Sequence, residues 1–199
     1  MPTGVHLRDV RKQLFDAAWR VLLRDGPNAL TSRAVTTEAD VAKGVLHRHF
    51  ADFDDFLAEL VRDRIGRLTD QAALLQAAAG MRTVAENLLD ALVEVFDPVS
   101  VPLMSLLFFR DELRSRLRRR GEGLPLLTEA REMLAAYLSA ERAQGRIAAD
   151  ADVDSLSLSL IGGAHLLFAG RRPNALPDND ELKKLVNTTI ADAIQRRLL

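Results

Sequence analysis

Apolar residues recur along most of this chain at three- and four-residue intervals, the spacing that places them on one face of an α-helix. The clearest stripe lies near the end of the chain and contains Leu182, Leu185, Val186, Thr189, Ile190, Ala193 and Ile194. A second stripe follows Asp52, a residue type that starts helices by accepting a backbone hydrogen bond. Gly26, Gly80 and Gly145 interrupt the pattern and mark helix ends. We therefore expect an all-α protein of about nine helices.

One segment breaks the helical spacing. Residues 155–160 read SLSLSL, an alternation of polar and apolar residues that by itself predicts a β-strand. A single strand would leave its backbone groups unpaired in an otherwise helical chain. We therefore predict a helix that is capped by Asp152 and continues through IGGAHLLFAG, with small residues that let another helix approach closely.

Composition narrows the class of protein. The chain has 199 residues, of which 48% are hydrophobic, enough to bury a core. It has no cysteine, which excludes disulfides, thiolate zinc sites and cysteine nucleophiles. No segment has the composition of a signal peptide or of a membrane-spanning helix. We expect a cytoplasmic protein with no membrane partner.

The net charge of −1 divides unevenly along the chain. Residues 1–50 hold eight Lys and Arg residues against five acidic residues, a net charge of +3, so the remaining 149 residues carry −4. Three of the four histidines also lie in the first 50 residues. This asymmetry points to an anionic partner for the N-terminal segment, although a difference of this size also arises by chance.

The stretch ADVAKGVLHRHF, residues 39–50, predicts a short helix with two different faces. At about 100° per residue, Leu46 and Phe50 point together toward a core, with Ala42 beside them. The outward face carries small, cationic and imidazole residues: Gly44, Val45, His47 and Arg48, with Lys43 and His49 on its rim. Such a face suits the major groove of DNA, where Arg or Lys pairs with guanine, an apolar group contacts a thymine methyl, and rim groups meet phosphates.

These residues stand in the order and spacing of a known DNA-binding domain. From about Arg8 to Leu57 the chain resembles the DNA-binding domain of the TetR (tetracycline repressor) family of bacterial transcription factors. The similarity is carried by residues spread along this segment: Leu14, Ala17, Ala18, Gly26, Thr31 to Val35, Ala39, Val41, KGVLHRHF and ADFDDFL. The rest of the chain matches the family only as an all-helical body of the usual length.

The resemblance implies two functional domains along the chain. Residues 1–51 would form a three-helix, helix-turn-helix DNA-binding domain with Ala42 to Phe50 as its recognition helix, and residues 52–199 a helical domain that binds a small ligand and dimerises. The expected DNA-binding residues are Thr31, Arg33, Lys43, Gly44, Val45, His47, Arg48 and His49. A homodimer would read double-stranded DNA at a palindromic operator, with half-sites about 34–36 Å or a multiple of that apart. A plain helical hairpin is the alternative interpretation of the same spacing.

Several positions depart from the family pattern. Asp40 stands where a turn glycine is usual, and Ala42 stands at the usual serine cap, a change that weakens the helix start by roughly 1 kcal/mol. Val45 replaces a threonine and His47 replaces a tyrosine, although His47 is able to donate to a phosphate.

The start of the next helix departs most. Phe53 replaces a lysine that commonly meets the DNA backbone, and Asp52, Asp54 and Asp55 would repel that backbone. These features favour an alternative function, that of a dimeric small-molecule-binding protein of the same fold without specific DNA binding.

The C-terminal body contains candidates for a ligand cavity, since apolar walls with a few polar groups are what such pockets need. They are Phe96, Met104, Phe108, Phe109, Met133, Tyr137 and His165. Ordinary core packing is the alternative for each of them, and Tyr137 and His165 stand out because they carry polar groups in apolar runs. We expect an apolar or aromatic effector.

The last two helices combine an apolar stripe with a face of small residues, more apolar surface than they can readily bury within one subunit. The resemblance implies that two copies join them as a four-helix bundle. The interface candidates are Leu160, Gly163, Leu167, Val186, Ile190 and Ile194.

Signals for other chemistry are missing from the sequence. There is no phosphate-binding glycine loop, HExxH motif, carboxylate pair or nucleophile elbow, so we expect no enzyme activity and no cofactor. His47 and His49 are two residues apart and do not share a helix face, which argues against a metal site. The basic run from Arg114 to Arg120 is either a second nucleic-acid patch or, as we expect, a solvated helix end. The combined reading is a ligand-responsive repressor in which the effector changes the separation of two recognition helices.

Overall fold

The computed structural model describes residues 3–117, 124–169 and 179–195, with side chains from residue 10 onward. All regular structure in these ranges is helical, which confirms the expected fold class and the helical interpretation of SLSLSL. Ten α-helices and one 3-10 helix, Pro27–Ala29, are present there. The α-helices are α1 (Thr3–Asp25), α2 (Ser32–Glu38), α3 (Val45–His49), α4 (Phe53–Ala77), α5 (Val84–Val95), α6 (Ser100–Phe109), α7 (Asp111–Leu117), α8 (Leu127–Ala143), α9 (Val153–Ala169) and α10 (Asn179–Gln195).

The chain forms two compact units. The first unit comprises Met1–Asp63 and Pro98–Leu124, and the second comprises Arg64–Asp97 and Pro125–Leu199. The boundary falls inside α4, and α6 and α7 belong to the first unit together with the N-terminal helices. The division into a DNA-binding domain, residues 1–51, and a ligand-binding and dimerisation domain, residues 52–199, concerns function and stays a prediction.

Local signals in the sequence start three helices as expected. The Thr31 hydroxyl accepts a hydrogen bond from the Ala34 backbone nitrogen at 3.1 Å, which caps α2. Asp52 accepts from the Asp55 nitrogen at 2.7 Å, while the Asp55 carboxylate accepts from the Ala51 nitrogen at 3.0 Å. Asp152 accepts from the Ser155 nitrogen at 3.1 Å at the start of α9. Each bond satisfies a backbone donor that a helix start leaves open.

An aromatic cluster forms the core of the first unit where α1, α3 and α4 meet. The ring of Phe56, which is fully buried, lies 5.6 Å from the ring of Phe15, 5.1 Å from that of Phe50 and 5.6 Å from that of Phe53. Phe15 also contacts Phe50, at 6.0 Å. Such pairs add to the area that each ring buries, so the cluster joins the N-terminal helices into one body.

Residues 100–117 form two helices rather than one continuous helix. α6 begins at Ser100 and has Pro102 in its first turn. Proline is tolerated there because a backbone N–H in the first turn has no partner within the helix. α6 ends at Arg110, whose backbone is extended. Arg114 then donates to the carbonyls of Leu107 and Phe108, at 2.9 and 2.7 Å, and so satisfies the open end of α6.

The second unit is held together by packing among α5, α8, α9 and α10. Small residues on α9 allow close approach, as the sequence predicts: a Cβ atom built at Gly163 would lie 2.6 Å from Leu185 Cδ1 on α10. Gly80 and Gly145 have positive φ angles of 84° and 69° where α4 and α8 end. Helix ends of this kind favour glycine because it has no Cβ to strain.

The aromatic cluster gives a stability prediction. Replacing Phe56 by Ala should lower the free energy of unfolding by about 3–5 kcal/mol, because it empties a fully buried site. Phe109→Ala is the matched control, since Phe109 is 88% exposed and its loss should change stability by less than about 0.5 kcal/mol. Urea unfolding followed by circular dichroism measures both, and equal effects of the two substitutions would contradict the assignment of the core.

Candidate nucleic-acid interface and ligand-binding region

Helix α3 is oriented by the burial of one of its faces. Leu46 and Phe50 are 0% and 3% exposed, as the helical wheel predicts. Arg11 holds the end of this helix, because its guanidinium lies 4.5 Å from the centre of the Phe50 ring and donates to the His49 carbonyl at 3.3 Å. Arg11 also pairs with Glu59 of α4 at 3.2 Å. The face opposite Leu46 is thereby turned to solvent.

The outward face carries the residues that were expected on it. Lys43, Gly44, His47 and Arg48 are exposed, and Val45 and His49 are half-buried. Thr31 and Arg33 at the start of α2 are exposed as well. These positions make the eight residues accessible to a duplex to different degrees, and their contact with DNA stays a prediction.

The start of α3 differs from the prediction. The helix begins at Val45, with Gly44 as its cap residue and no side-chain hydrogen bond there. Ala42 is exposed rather than packed beside Leu46, and its carbonyl accepts from the Val45 nitrogen at 2.8 Å. Ala42 has no side chain able to accept a backbone hydrogen bond, so nothing at that position holds an earlier helical turn. Helix α3 is therefore shorter than the recognition helix expected over Ala42 to Phe50.

The cations of the N-terminal helices fall into two groups. Arg20 and Arg24 both pair with Glu38, at 2.7 and 2.8 Å. Their hydrogen bonds, that of Arg20 first, hold the pKa of Glu38 below its ordinary value. Within the part of the chain that the structure describes, Lys43 and Arg48 form no ion pair. Lys43 and Arg48 on the outward face of α3 are therefore among the cations available to an anionic partner.

The acidic residues at the start of α4 have partners within the protein, and their repulsion of DNA stays a prediction. Asp52 is paired with Arg116 of α7 through two hydrogen bonds of 2.8 Å. These bonds are the main reason that the pKa of Asp52 lies below its usual range. Asp54 pairs with Arg110 at 3.0 Å, and Asp55 caps the Ala51 nitrogen.

The basic run in α7 therefore has structural partners. Arg114 donates to the carbonyls of Leu107 and Phe108 at the end of α6 and Arg116 pairs with Asp52, whereas the sequence predicted a solvated helix end. Arg118, Arg119 and Arg120 lie outside the described residues. Arg110 and Arg116 are residues that sequence reasoning missed as part of the N-terminal site, because partners 56 and 64 positions away leave no local signal.

In the second unit, two of the predicted ligand residues, Phe96 and His165, meet Phe168, which the sequence did not single out. Phe96 stacks on Phe168 with 5.2 Å between ring centres, and its ring lies 6.0 Å from that of His165. His165 is half-buried, and this burial lowers its pKa, which favours the neutral imidazole. An apolar wall with one neutral polar ring is the chemistry expected of a site for an aromatic or apolar ligand.

Tyr137 takes part in a buried polar network. Its hydroxyl donates to Glu141 at 2.6 Å and accepts from the Asn87 amide at 2.9 Å. Glu141 is 0% exposed, accepts from the Gly80 nitrogen at 3.2 Å and lies 3.2 Å from Arg146. Burial, with the hydrogen bond to Glu141, raises the pKa of Tyr137. The Tyr137 hydroxyl is already satisfied within the protein, so it supports the fold at this position.

Sequence reasoning missed Glu141. The available signal was its position four residues after Tyr137, on the apolar face of α8.

The remaining ligand candidates are divided between the two units. Met133 is buried in the second unit and Met104 is buried in the first. Phe108 is 39% exposed and Phe109 is 88% exposed, so the expectation that they form an inward-facing wall is corrected. The end of α6 exposes them because Arg114 occupies the carbonyls there and the chain turns into α7.

The dimer candidates also need correction. Leu160, Val186 and Ile190 are buried within the chain, since α9 and α10 pack on each other and on α5 and α8. Gly163 faces Leu185 of α10 in the same way. Leu167 and Ile194 are half-buried. The exposed face of α9 is instead formed by residues four positions apart: Leu158, Gly162 and Leu166, of which the leucines are 60% and 79% exposed.

The described residues lack two features. They contain no group of three or more His, Asp or Glu side chains placed to hold a metal ion. They also contain no single helix that is both long and apolar enough to cross a membrane.

The chain is similar to known proteins over its N-terminal segment and in its fold. Residues 14–60 match the family model described as bacterial regulatory proteins, tetR family. The HTH-type transcriptional regulator BetI of Rhizobium meliloti (strain 1021) is 32% identical over 113 residues, 55% of each chain. The chain spans between a third and about half of the length of the curated relatives it matches.

Solved structures resemble the whole chain. A member of the TetR family from Streptomyces coelicolor A3 has a TM-score of 0.61 at 24% identity and covers 90% of this chain and 97% of its own. FadR of Bacillus subtilis, a transcriptional regulator in complex with stearoyl-CoA, has a TM-score of 0.64 at 18% identity, with 93% and 98% covered. At these identities the likeness shows the fold, and the family resemblance seen in the sequence is confirmed.

Proposed function

We propose, from the TetR-family fold and the N-terminal helix-turn-helix domain that this chain has, that it is a ligand-responsive transcriptional regulator. It acts as a repressor, binds a palindromic operator as a homodimer and is released by a small apolar or aromatic effector. The observation that carries the proposal is the outward face of α3, where Lys43, His47 and Arg48 are exposed opposite the buried Leu46.

The chemistry of that face fits base readout in the major groove. Arg48 offers a planar donor pair that matches the O6 and N7 acceptors of guanine, and Lys43 offers a point charge for a base or a phosphate. Gly44 is open, since a Cβ atom there would meet nothing within 4 Å. His47 supplies a donor whose attraction to phosphate grows when the imidazole is protonated. Thr31 and Arg33 lie at the start of α2, where they supply phosphate contacts.

The second unit supplies the effector site in this proposal. Phe96 and Phe168 are buried and form an apolar cluster with the half-buried, neutral ring of His165, a chemistry that suits an aromatic or apolar molecule. A relative of the same fold, FadR, is described in complex with stearoyl-CoA, which supports a ligand-binding role for this fold. Effector binding favours a conformation in which the two recognition helices no longer match the operator spacing.

The homodimer is formed through the exposed face of α9 rather than through the buried stripes. Leu158, Gly162 and Leu166 line one side of that helix, and large apolar side chains in such a patch mark interaction surfaces. Leu167 and Ile194 lie at its border in the proposal. A second copy related by two-fold symmetry presents the same face, so the surface only needs to complement itself.

In this proposal the protein has no catalytic activity and is located in the cytoplasm. Its support is that BetI and FadR are named as transcriptional regulators rather than as enzymes. The competing function, a dimeric small-molecule-binding protein that no longer binds specific DNA, is favoured by the short α3 and its lack of a side-chain cap.

Selection from a random duplex library at moderate salt tests the proposed function. The wild type should enrich a palindromic motif. Arg48→Ala and Lys43→Ala should weaken its definition, with roughly 1–3 kcal/mol of base discrimination lost for each bidentate contact removed.

Arg24→Ala is the matched control for this selection, because it removes a cation of the same domain that is already paired with Glu38. It should recover the same motif as the wild type. Failure of the folded wild type to enrich any motif would contradict the proposed function and favour the competing one.

The dimer surface is tested by sedimentation of charge variants. The wild type should sediment at about twice the 22.0 kDa mass of one chain. Leu166→Glu should shift it to the monomer, because burying an unpaired carboxylate opposes association. Leu74→Glu is the control, since Leu74 is a leucine of the second unit that is 72% exposed on a different helix. A Leu166→Glu dimer as stable as the wild type would disprove this interface.

A further inference from the structure

The two ion pairs that join α7 and Arg110 to the start of α4 lie close to the recognition helix. Asp52 follows His49, the last residue of α3, by three positions. Because a chain extends by at most about 3.6 Å per residue, their Cα atoms are at most about 11 Å apart. That is close to the Debye length of about 10 Å in 0.1 M salt. The charge on Asp52 therefore acts on the same approaching phosphates as the cations of α3.

Without their arginine partners, Asp52 and Asp54 would place two negative charges beside the proposed DNA-binding face. Arg116 lies against Asp52 with both of its terminal nitrogens at 2.8 Å from the carboxylate oxygens, the two-bond geometry that fixes a guanidinium on a carboxylate. Arg110 lies 3.0 Å from Asp54. Both arginines lie in the segment Pro98–Leu124 of the first unit, far along the chain from the helix-turn-helix.

The contacts around Arg116 hold α7 as well as the carboxylate. Arg62 of α4 donates to the Arg116 carbonyl at 2.9 Å, so the start and the third turn of α4 both contact the same residue. Arg62 is itself paired with Glu59 at 2.5 Å. A displacement of α7 that separates Arg116 from Asp52 would uncover a negative charge and loosen a residue that caps α4.

We propose that Arg116, with Arg110, is a positioning residue for DNA binding that acts by covering the carboxylates of Asp52 and Asp54. This inference rests on the proposed function and deepens it, since it gives a segment outside the helix-turn-helix an electrostatic effect on the DNA-binding face. It also accounts for Phe53 beside three acids at a position where the family has lysine: positive charge reaches this region from Arg110 and Arg116.

The test compares affinities for a nonspecific duplex, and for the selected operator, at 50 mM and at 1 M salt. Arg116→Ala should weaken binding to the nonspecific duplex at low salt by about fourfold per dimer, since one unit charge about 10 Å away in water alters binding by about twofold per subunit. The difference should vanish at 1 M salt, where the Debye length is about 3 Å. Arg110→Ala should act in the same direction.

Removal of the covered charge provides the decisive variant. Asp52→Asn keeps a side chain that caps a helix start and leaves Arg116 with no carboxylate to neutralise. Asp52→Asn alone should therefore bind the nonspecific duplex at least as tightly as the wild type. The double variant Arg116→Ala with Asp52→Asn should return to within about twofold of the wild type, because it again carries no uncovered charge.

Arg82→Ala serves as the matched control, because it breaks an exposed arginine–aspartate pair of 2.5 Å with Asp90 in the second unit and changes the net charge equally. It should leave duplex affinity unchanged. Thermal melts by circular dichroism establish that each variant is folded at the assay temperature.

The possible results distinguish an electrostatic role of Arg116 from a structural one. Loss of binding in Arg116→Ala that Asp52→Asn does not restore would show that the arginine acts only through the fold. An unchanged affinity in Arg116→Ala would overturn the proposal directly. Failure of the wild type to select an operator would contradict the proposed function alone, because the comparison on the nonspecific duplex still measures whether the carboxylates are covered.

Discussion

The burial of Leu46 and Phe50 against the aromatic cluster of the first unit decides which side of α3 faces solvent. A helix that buries two residues four positions apart has its rotation fixed, because any turn about its axis would expose one of them. The rings of Phe50 and Phe56 lie 5.1 Å apart. The Arg11 guanidinium lies 4.5 Å from the centre of the Phe50 ring and donates a hydrogen bond to the His49 carbonyl. The orientation of Lys43, His47 and Arg48 follows from that packing, and with it the proposal that this face meets DNA.

Ion pairing then determines how much of the charge near α3 acts on a partner. The sequence suggests a modest positive excess in the first 50 residues and three repelling acids just after them. In the folded protein Glu38 engages Arg20 and Arg24, whereas Arg116 and Arg110 engage Asp52 and Asp54. Asp52 and Asp54 are thus neutralised by cations from α7 and the α6–α7 junction.

The features that could be predicted from the sequence are those with local causes. Caps at Thr31, Asp52 and Asp152 depend on atoms three residues apart, and the helical stripes depend on spacing alone. The family resemblance rested on short-range order in the same way. These signals were sufficient for the fold class and for the two faces of α3.

The features that could not be predicted depend on distant partners. The break at Arg110 reflects Arg114 reaching back to the end of α6, and the pairing of Asp52 reflects a residue 64 positions away. From the sequence, the apolar stripes of α9 and α10 suggest an interface with a second copy. Packing within the second unit instead buries Leu160 and Val186. Burial of Glu141 likewise follows from Tyr137 and Arg146 meeting around it.

The central claim, that the outward face of α3 reads bases in the major groove, is tested most directly by methylation protection on a selected duplex. Dimethyl sulfate methylates guanine at N7 in the major groove and adenine at N3 in the minor groove. The account predicts protected guanines in two half-sites separated by about one helical turn, 34–36 Å, or a multiple of it. Protection confined to adenine N3, or no protection of guanine while the protein is bound, would contradict it.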